Sequence, residues 1–254
     1  MGEFVTYERN TSGYGVIHLN RTEKRNAISG EMAKQLEQFL NEAEKQEIKF
    51  LVITGAEGEY FCAGGDLKDL HGELTPDEAK ASLTPMKNVL ESIVKFPVPV
   101  IALLNGNALG GGCELATACD IRIAKEGTVF GFIQSNIGIL PGWGGGAILH
   151  KKVGSSFAMD WLMRGKLYEA NELLNRGWLH HIVSESEWNA QENILEPYIK
   201  KSVKQMHLLK AQFQLNIEVN ILSEQMDNEM KNTADLWDSP EHKMAVQKFL
   251  SRKK

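Results

Sequence analysis

The chain has 254 residues, 43% hydrophobic and 24% charged, with a formal net charge of −5. That length suits one large domain, or a core with an appendage, and the composition is that of a globular protein. The acidic balance gives no ground for nucleic-acid or anionic-membrane binding, and no apolar run approaches the ~20 residues of a membrane helix.

From the start, MGEFVTYERN lacks a basic segment followed by an apolar one, so no signal peptide is visible. Its Met-Gly opening is a weak myristoylation match and reads better as part of a strand. Residues 4–9 alternate apolar and polar, residues 10–13 form a turn, and residues 15–19 read as a second strand, together a hairpin. The polar stretch 20–29 carries Arg21, Lys24 and Arg25, either scattered charge on a solvated loop or a basic rim for a phosphate-bearing ligand. Ser29 is placed to cap a helix on which Met32, Leu36, Phe39, Leu40 and Ala43 recur at helical spacing. FLVIT (50–54) then reads as a buried strand, so the connections are crossovers and the sheet has parallel pairing.

Two glycine turns follow strands of this kind. The first, GAEGEYFCAGGD (55–66), centres on Ala63, Gly64 and Gly65, with Asp66 placed to cap a short helix. A helix is expected over 75–95, opened by Thr75-Pro76 and broken at Phe96-Pro97. The apolar run 98–104 leads into the second turn, NGNALGGGCELATACD (105–120), where Gly110, Gly111 and Gly112 precede Glu114. Glycine lets the backbone approach a ligand, and the free N–H groups of a helix's first turn favour negative charge. A carboxylate one turn in can serve there as acid or base. A tight strand-to-helix turn with Glu114 complementing the helix dipole fits the stretch equally well. Ligands of such sheets bind beyond the carboxyl ends of strands, where two turns can aim two N–H groups at one oxygen.

Cys62, Cys113 and Cys119 make no even disulfide framework, and the last two are not at a zinc or redox spacing, which favours a reduced, cytoplasmic setting. The pair His180-His181 falls on a strand-like patch where the side chains point to opposite faces, which disfavours a two-histidine metal site. Beyond residue 155 the pattern is helical: Ala158 and Leu162; Ala170, Leu173 and Leu174; Leu195, Ile199, Val203 and Met206 on one helix; Ile217, Ile221, Met226 and Met230 on another.

Several motifs in order carry a family resemblance. They are Arg25-Asn26-Ala27; FCAGGDLKDL (61–70); PVPVIALLNGNALGGGCELATACDIRIA (97–124); GILPGWGGG (138–146); WLMRGKLYEANELLNRGWLHHIV (161–183); and VQKFLSRKK (246–254). With these the chain resembles the enoyl-CoA hydratase/isomerase family, the crotonases, over nearly its whole length. The resemblance implies an α/β fold with a ββα spiral core (1–190) and a C-terminal helical trimerisation region (191–254). It implies an acyl-CoA substrate, no cofactor beyond the CoA of that substrate, no metal, and a homotrimer or a hexamer of paired trimers. The backbone N–H groups of Ala63 and Gly111 match the pair that holds the thioester oxygen. CoA is expected along Ala63, Gly64, Gly65, Asp66 and Leu67, with Lys24, Arg25, Ala27, Phe249 and Lys248 or Lys253 around it. Gly110, Pro141, Gly142 and Trp143 complete the binding positions. Trp143 is either a core aromatic or a bulky wall that shortens the acyl pocket.

Glu114 matches one of the two glutamates of the hydratases. The second position falls on Gln134, and no Asp or Glu lies between Val129 and His150. An amide neither takes nor gives a proton at neutral pH. The first expectation is therefore a hydratase-like lyase working through Glu114. Its alternatives are decarboxylation of a malonyl-type CoA, which needs an enolate site and one proton donor, and an inactive acyl-CoA-binding protein. His71 is a candidate surrogate acid, with a surface loop position the more ordinary reading.

Overall fold

The computed structural model describes residues 2–66 and 74–251, the last three of these by backbone only. The expectations placed on Leu67, His71, Lys253, the side chain of Phe249 and a helix after Asp66 lie outside these residues.

The hairpin forms as β1 (Val5–Arg9) and β2 (Gly15–Leu19), antiparallel with Val5 opposite Leu19. Ser29 Oγ accepts the N–H of Met32 at 3.3 Å and starts α1 (Gly30–Glu44). Strand β3 (Leu51–Gly55) lies parallel to β2, and a short β4 (Tyr60–Cys62) follows it. Helix α2 (Pro76–Lys95) opens with a capping box in which Thr75 and Glu78 bond reciprocally. Then β5 (Val100–Leu104), β6 (Asn107–Leu109) and α3 (Gly111–Ala118) repeat the strand, short strand, helix pattern. Strands β7 (Ile121–Lys125) and β8 (Val129–Gly131), a 3-10 turn (Gln134–Ile137) and α4 (Gly145–Lys152) repeat it again. Helix α5 (Ser155–Arg164), β9 (Tyr168–Glu169), α6 (Ala170–Asn175) and β10 (His181–Val183) complete the strands.

The repeat sorts the long strands into one sheet, β1-β2-β3-β5-β7-β10, and the short ones into a second, β4-β6-β8-β9. Each turn of the spiral thus steps from the large sheet to the small one before its helix returns. The large sheet is buried on both faces, which is why its strands read as continuous apolar runs. Leu51, Ile53, Val100, Ala102 and Leu104 face the main core with α1, α2 and α3, whereas Val52, Ile101, Leu103 and Ile123 face a second cluster.

That second face is covered by α7 (Glu185–Trp188), α8 (Gln191–Ile199) and α9 (Val203–Asn216), through Trp188, Leu195 and Met206. The single helix expected over 195–206 is two helices. Ser202 and Gln205 form a capping box, and this start signal overrides the continuous apolar spacing. Helix α10 (Val219–Leu236) returns to the main core with Leu222, Met226 and Met230, and α11 (Pro240–Ser251) follows it. Among the described residues no helix is long and apolar enough to cross a membrane.

Candidate active site

The spiral brings the two glycine turns together at the carboxyl edge of the small sheet. A Cβ on Gly64, whose φ is +101°, would stand 2.9 Å from Leu109 O and 3.4 Å from Gly111 N. Only glycine takes that backbone without strain, so the first turn presses directly on the start of α3.

The choice of N–H donor in the first turn is corrected by the structure. Ala63 N–H already donates to Arg25 O at 3.0 Å. Ile28 then pairs with Gly65 in a parallel bridge, its N–H donating to Gly64 O and its carbonyl accepting Asp66 N–H, both at 2.8 Å. Alternation along a bridged segment turns the N–H of Gly65 to the opposite edge. Gly65, not Ala63, therefore offers the outward N–H of this turn. Gly111 opens α3, where a first-turn N–H has no intrahelical acceptor.

Glu114 follows Gly111 by three residues, so both lie on one face of α3. Glu114 is 2% exposed. Its Oε1 accepts Gln134 Nε2 at 2.9 Å and Gly142 N at 3.3 Å, and its Oε2 accepts Trp143 N at 2.9 Å and Gly145 N at 3.0 Å. Four donors fill the acceptor capacity of a carboxylate. Burial pushes the Glu114 pKa above its ordinary value, and the hydrogen bonds from Trp143, Gly145, Gly142 and Gln134 oppose that rise. Gln134 is buried too, and its Oε1 has no hydrogen-bond partner among the described residues.

Trp143 is buried with its ring against the first residue of α3. A Cβ on Gly111 would fall 2.2 Å from Trp143 Cζ3. Trp143 is thus a packed core aromatic, the first of its two readings. Cys62 and Cys113 are buried, Cys62 is pushed up to about 12 and Cys113 well above its ordinary value, both by burial first, so neither is a thiolate at neutral pH.

Among the expected CoA contacts, Lys24 and Arg25 are exposed at the mouth of the first turn. The Arg25 guanidinium lies 5.2 Å from the Tyr60 ring centroid. Asp66 is held by Arg21 Nη1 at 2.8 Å, and the same Nη1 donates to Ala27 O at 2.9 Å. Buried Asn26 ties the loop, accepting Arg21 N at 2.8 Å and donating to Tyr60 O at 3.1 Å. Sequence reading named neither Arg21 nor Asn26 as the loop's ties. His180 Nδ1 accepts the N–H of Arg122 at 3.2 Å, and His181 is exposed. A cavity of about 980 Å³ opens beside β10, lined by Val183, Tyr198, Met206 and Phe213, and none of the expected site residues lines it.

A second carboxylate, which the sequence did not single out, lies on the neighbouring peptide nitrogens. Glu229, half-buried on α10, accepts Gly146 N at 3.1 Å and Ala147 N at 2.6 Å, in the first turn of α4. It was legible only as a charge on the shoulder of the apolar stripe that includes Met226 and Met230.

Two glycine turns, an outward N–H at each, and a buried carboxylate one turn along α3 form an arrangement that can hold an oxyanion beside a carboxyl group. The chain belongs to the enoyl-CoA hydratase/isomerase family, whose model matches residues 9–254. It is 35% identical over 185 residues to a Bacillus subtilis protein named for that hydratase/isomerase class, covering 72% of this chain and 71% of the relative. It is 32% identical over 252 residues to the ethylmalonyl-CoA decarboxylase of Rattus norvegicus, covering 97% and 84%. A solved structure of enoyl-CoA hydratase from Thermoplasma volcanium superimposes with a TM-score of 0.78 at 35% identity, covering 100% of this chain and 98% of that one. The fold is therefore the crotonase fold, and the chain is an acyl-CoA enzyme of that family.

Proposed function

We propose that the chain decarboxylates a short malonyl-type acyl-CoA. The observation that carries this reading is neutral Gln134 beside Glu114, its Nε2 donating to Glu114 Oε1 at 2.9 Å in place of a second acid–base carboxylate. Hydration of an enoyl thioester needs a water held and deprotonated by carboxylates. Here an amide, which neither takes nor gives a proton at neutral pH, stands beside Glu114 where hydration asks for a second carboxylate.

Decarboxylation asks less of the site. The bond from Cα to the substrate carboxylate breaks, CO2 leaves, and the electron pair passes into the thioester carbonyl as an enolate. The N–H groups of Gly65 and Gly111 stabilise that oxygen, and one such donor is worth roughly 3 kcal/mol of barrier. Glu114, its proton affinity raised by burial, delivers a proton to Cα and leaves the shortened acyl-CoA. The Trp143 ring beside Gly111 supplies an apolar wall that desolvates the departing carboxylate and limits the acyl group to a short one. Nothing in this scheme calls for a cofactor beyond the CoA of the substrate. The name of the Rattus norvegicus relative, matched over 97% of this chain, supports the same reading. The chain is taken to work as a trimer or a pair of trimers, with the exposed Leu208, Leu209, Leu215 and Ile221 available for contact. The cysteine pattern favours a cytoplasmic setting.

The purified protein is to be assayed with ethylmalonyl-CoA, methylmalonyl-CoA and 2-butenoyl-CoA. Release of CO2 and butyryl-CoA from the first is expected. Faster formation of 3-hydroxybutyryl-CoA from 2-butenoyl-CoA would overturn the assignment.

A further inference from the structure

The first turn of α4 carries two carboxylates on consecutive peptide nitrogens. Gly145 N donates to Glu114 Oε2 at 3.0 Å, and the next nitrogen, Gly146 N, donates to Glu229 Oε1 at 3.1 Å. Ala147 N adds a bond to Glu229 Oε2 at 2.6 Å. Both glycines are fitted to these groups. A Cβ at Gly145 would meet Glu114 Cβ at 2.4 Å, and one at Gly146 would meet Glu229 Oε2 at 2.5 Å.

Glu229 arrives from the far end of the chain on a helix that grips the whole turn. Met226 packs on Gly144, where a Cβ would lie 2.6 Å away, and Thr233 Oγ1 donates to Pro141 O at 2.8 Å. Met226, Glu229 and Thr233 are spaced along one face of α10, so that one face contacts residues 141, 144, 146 and 147. The donors that aim Glu114 belong to this same segment.

We propose that Glu229 is a positioning residue for Glu114: it fixes the turn whose N–H groups hold the Glu114 carboxyl and, as a second carboxylate on the adjacent nitrogens, makes the two glutamates one acid–base unit. The inference rests on Glu114 being the proton donor of the proposed reaction.

Two carboxylates sharing one helix N-terminus, one fully buried and one half-buried, disfavour the doubly ionised state. Burial is the first cause that raises Glu229 well above its ordinary value, and the charge of Glu114 is the second. Among the described residues no cation offsets them. Lys87 on α2 is paired with Asp227 at 2.6 Å and Glu91 at 2.7 Å. The first turn of α4 carries no titratable side chain, and Gln134 of the 3-10 turn is neutral. His242 on α11 bonds Ile137 O at 2.7 Å, and Cys113 on α3 holds its proton. A cap carboxylate whose charge was screened by solvent would complement the dipole and leave the Glu114 titration unchanged.

The test is a carboxyl-carbon NMR titration of protein labelled at glutamate Cδ, in the wild type, Glu229→Gln, Glu229→Asp and Glu114→Gln. It needs no turnover, so it stands apart from whether decarboxylation is the reaction. The Glu114 midpoint is expected to fall by about 1 pH unit or more in Glu229→Gln. It should stay near the wild-type value in Glu229→Asp, and Glu114→Gln should lower the Glu229 midpoint by a similar amount. A Glu114 midpoint unmoved by Glu229→Gln in a variant that keeps its fold would overturn the proposal and leave Glu229 as a helix cap. If Glu229→Gln does not fold, the reciprocal shift in Glu114→Gln decides in the same way.

Discussion

At Gly111 a hydrogen atom is the largest side chain the site tolerates. The Trp143 ring occupies the volume a Cβ would need. Gly111→Ala is expected to force that ring off the start of α3, lowering stability by about 1–3 kcal/mol in denaturant unfolding. Activity should fall further still, because the displaced N–H no longer faces the thioester oxygen. Glu114→Gln is expected to lower the decarboxylation rate by roughly 10²–10⁴-fold, the usual worth of a positioned acid. The pH dependence has a definite sign. The protonated form of Glu114 is the one that delivers a proton, and burial raises its pKa. The rate should therefore be retained at pH values below the raised pKa and decline as pH rises through it. A rate that climbs across that range would assign Glu114 as a base instead. The sequence made the glycine turn at 63–65 legible but not which N–H it presents. That is decided by the bridge to Ile28, a contact that chain-order patterns do not encode.

Elements place these residues, and their signals differ in legibility. Helices α1 and α2 begin where Ser29 and Thr75 say they should, since a cap is a local interaction between neighbours. The apolar stripe of α10 was readable at Ile221, Met226 and Met230, although Ile217 falls at the end of α9, where left-handed Glu218 breaks the helix before Val219. Glu229 beside the stripe was not readable. A half-buried carboxylate looks like a solvated one until the helix it caps is docked, and the partners here lie on α4. Because α10 holds the 141–147 segment through Thr233, Thr233→Val should cost about 1 kcal/mol by leaving Pro141 O without its donor. The same change should loosen the turn around Glu114, read as a fall in kcat with little change in KM. Ser202→Ala, at the start of α9 and away from the site, should cost a similar ~1 kcal/mol and leave kcat alone.

Across the whole molecule, a buried ion pair ties the spiral to the C-terminal helices. Asp120, just past α3, accepts Lys210 Nζ from α9 at 2.6 Å and Val100 N at the start of β5 at 2.8 Å. Lys210→Met is expected to lower stability by about 3–5 kcal/mol, because it strands a buried carboxylate rather than because the pair itself is strongly favourable. The parallel sheet was visible in its apolar strands, whereas the short second sheet was not, its strands being only two or three residues long. An oxyanion site with an amide beside Glu114 should remove CO2 rather than add water. This expectation is tested most directly by incubating the protein with ethylmalonyl-CoA in D2O and following CO2 and the acyl product together. CO2 release with butyryl-CoA carrying one deuterium at C2 is expected, with loss of both in Glu114→Gln. Intact ethylmalonyl-CoA beside rapid hydration of 2-butenoyl-CoA by the same preparation would contradict it.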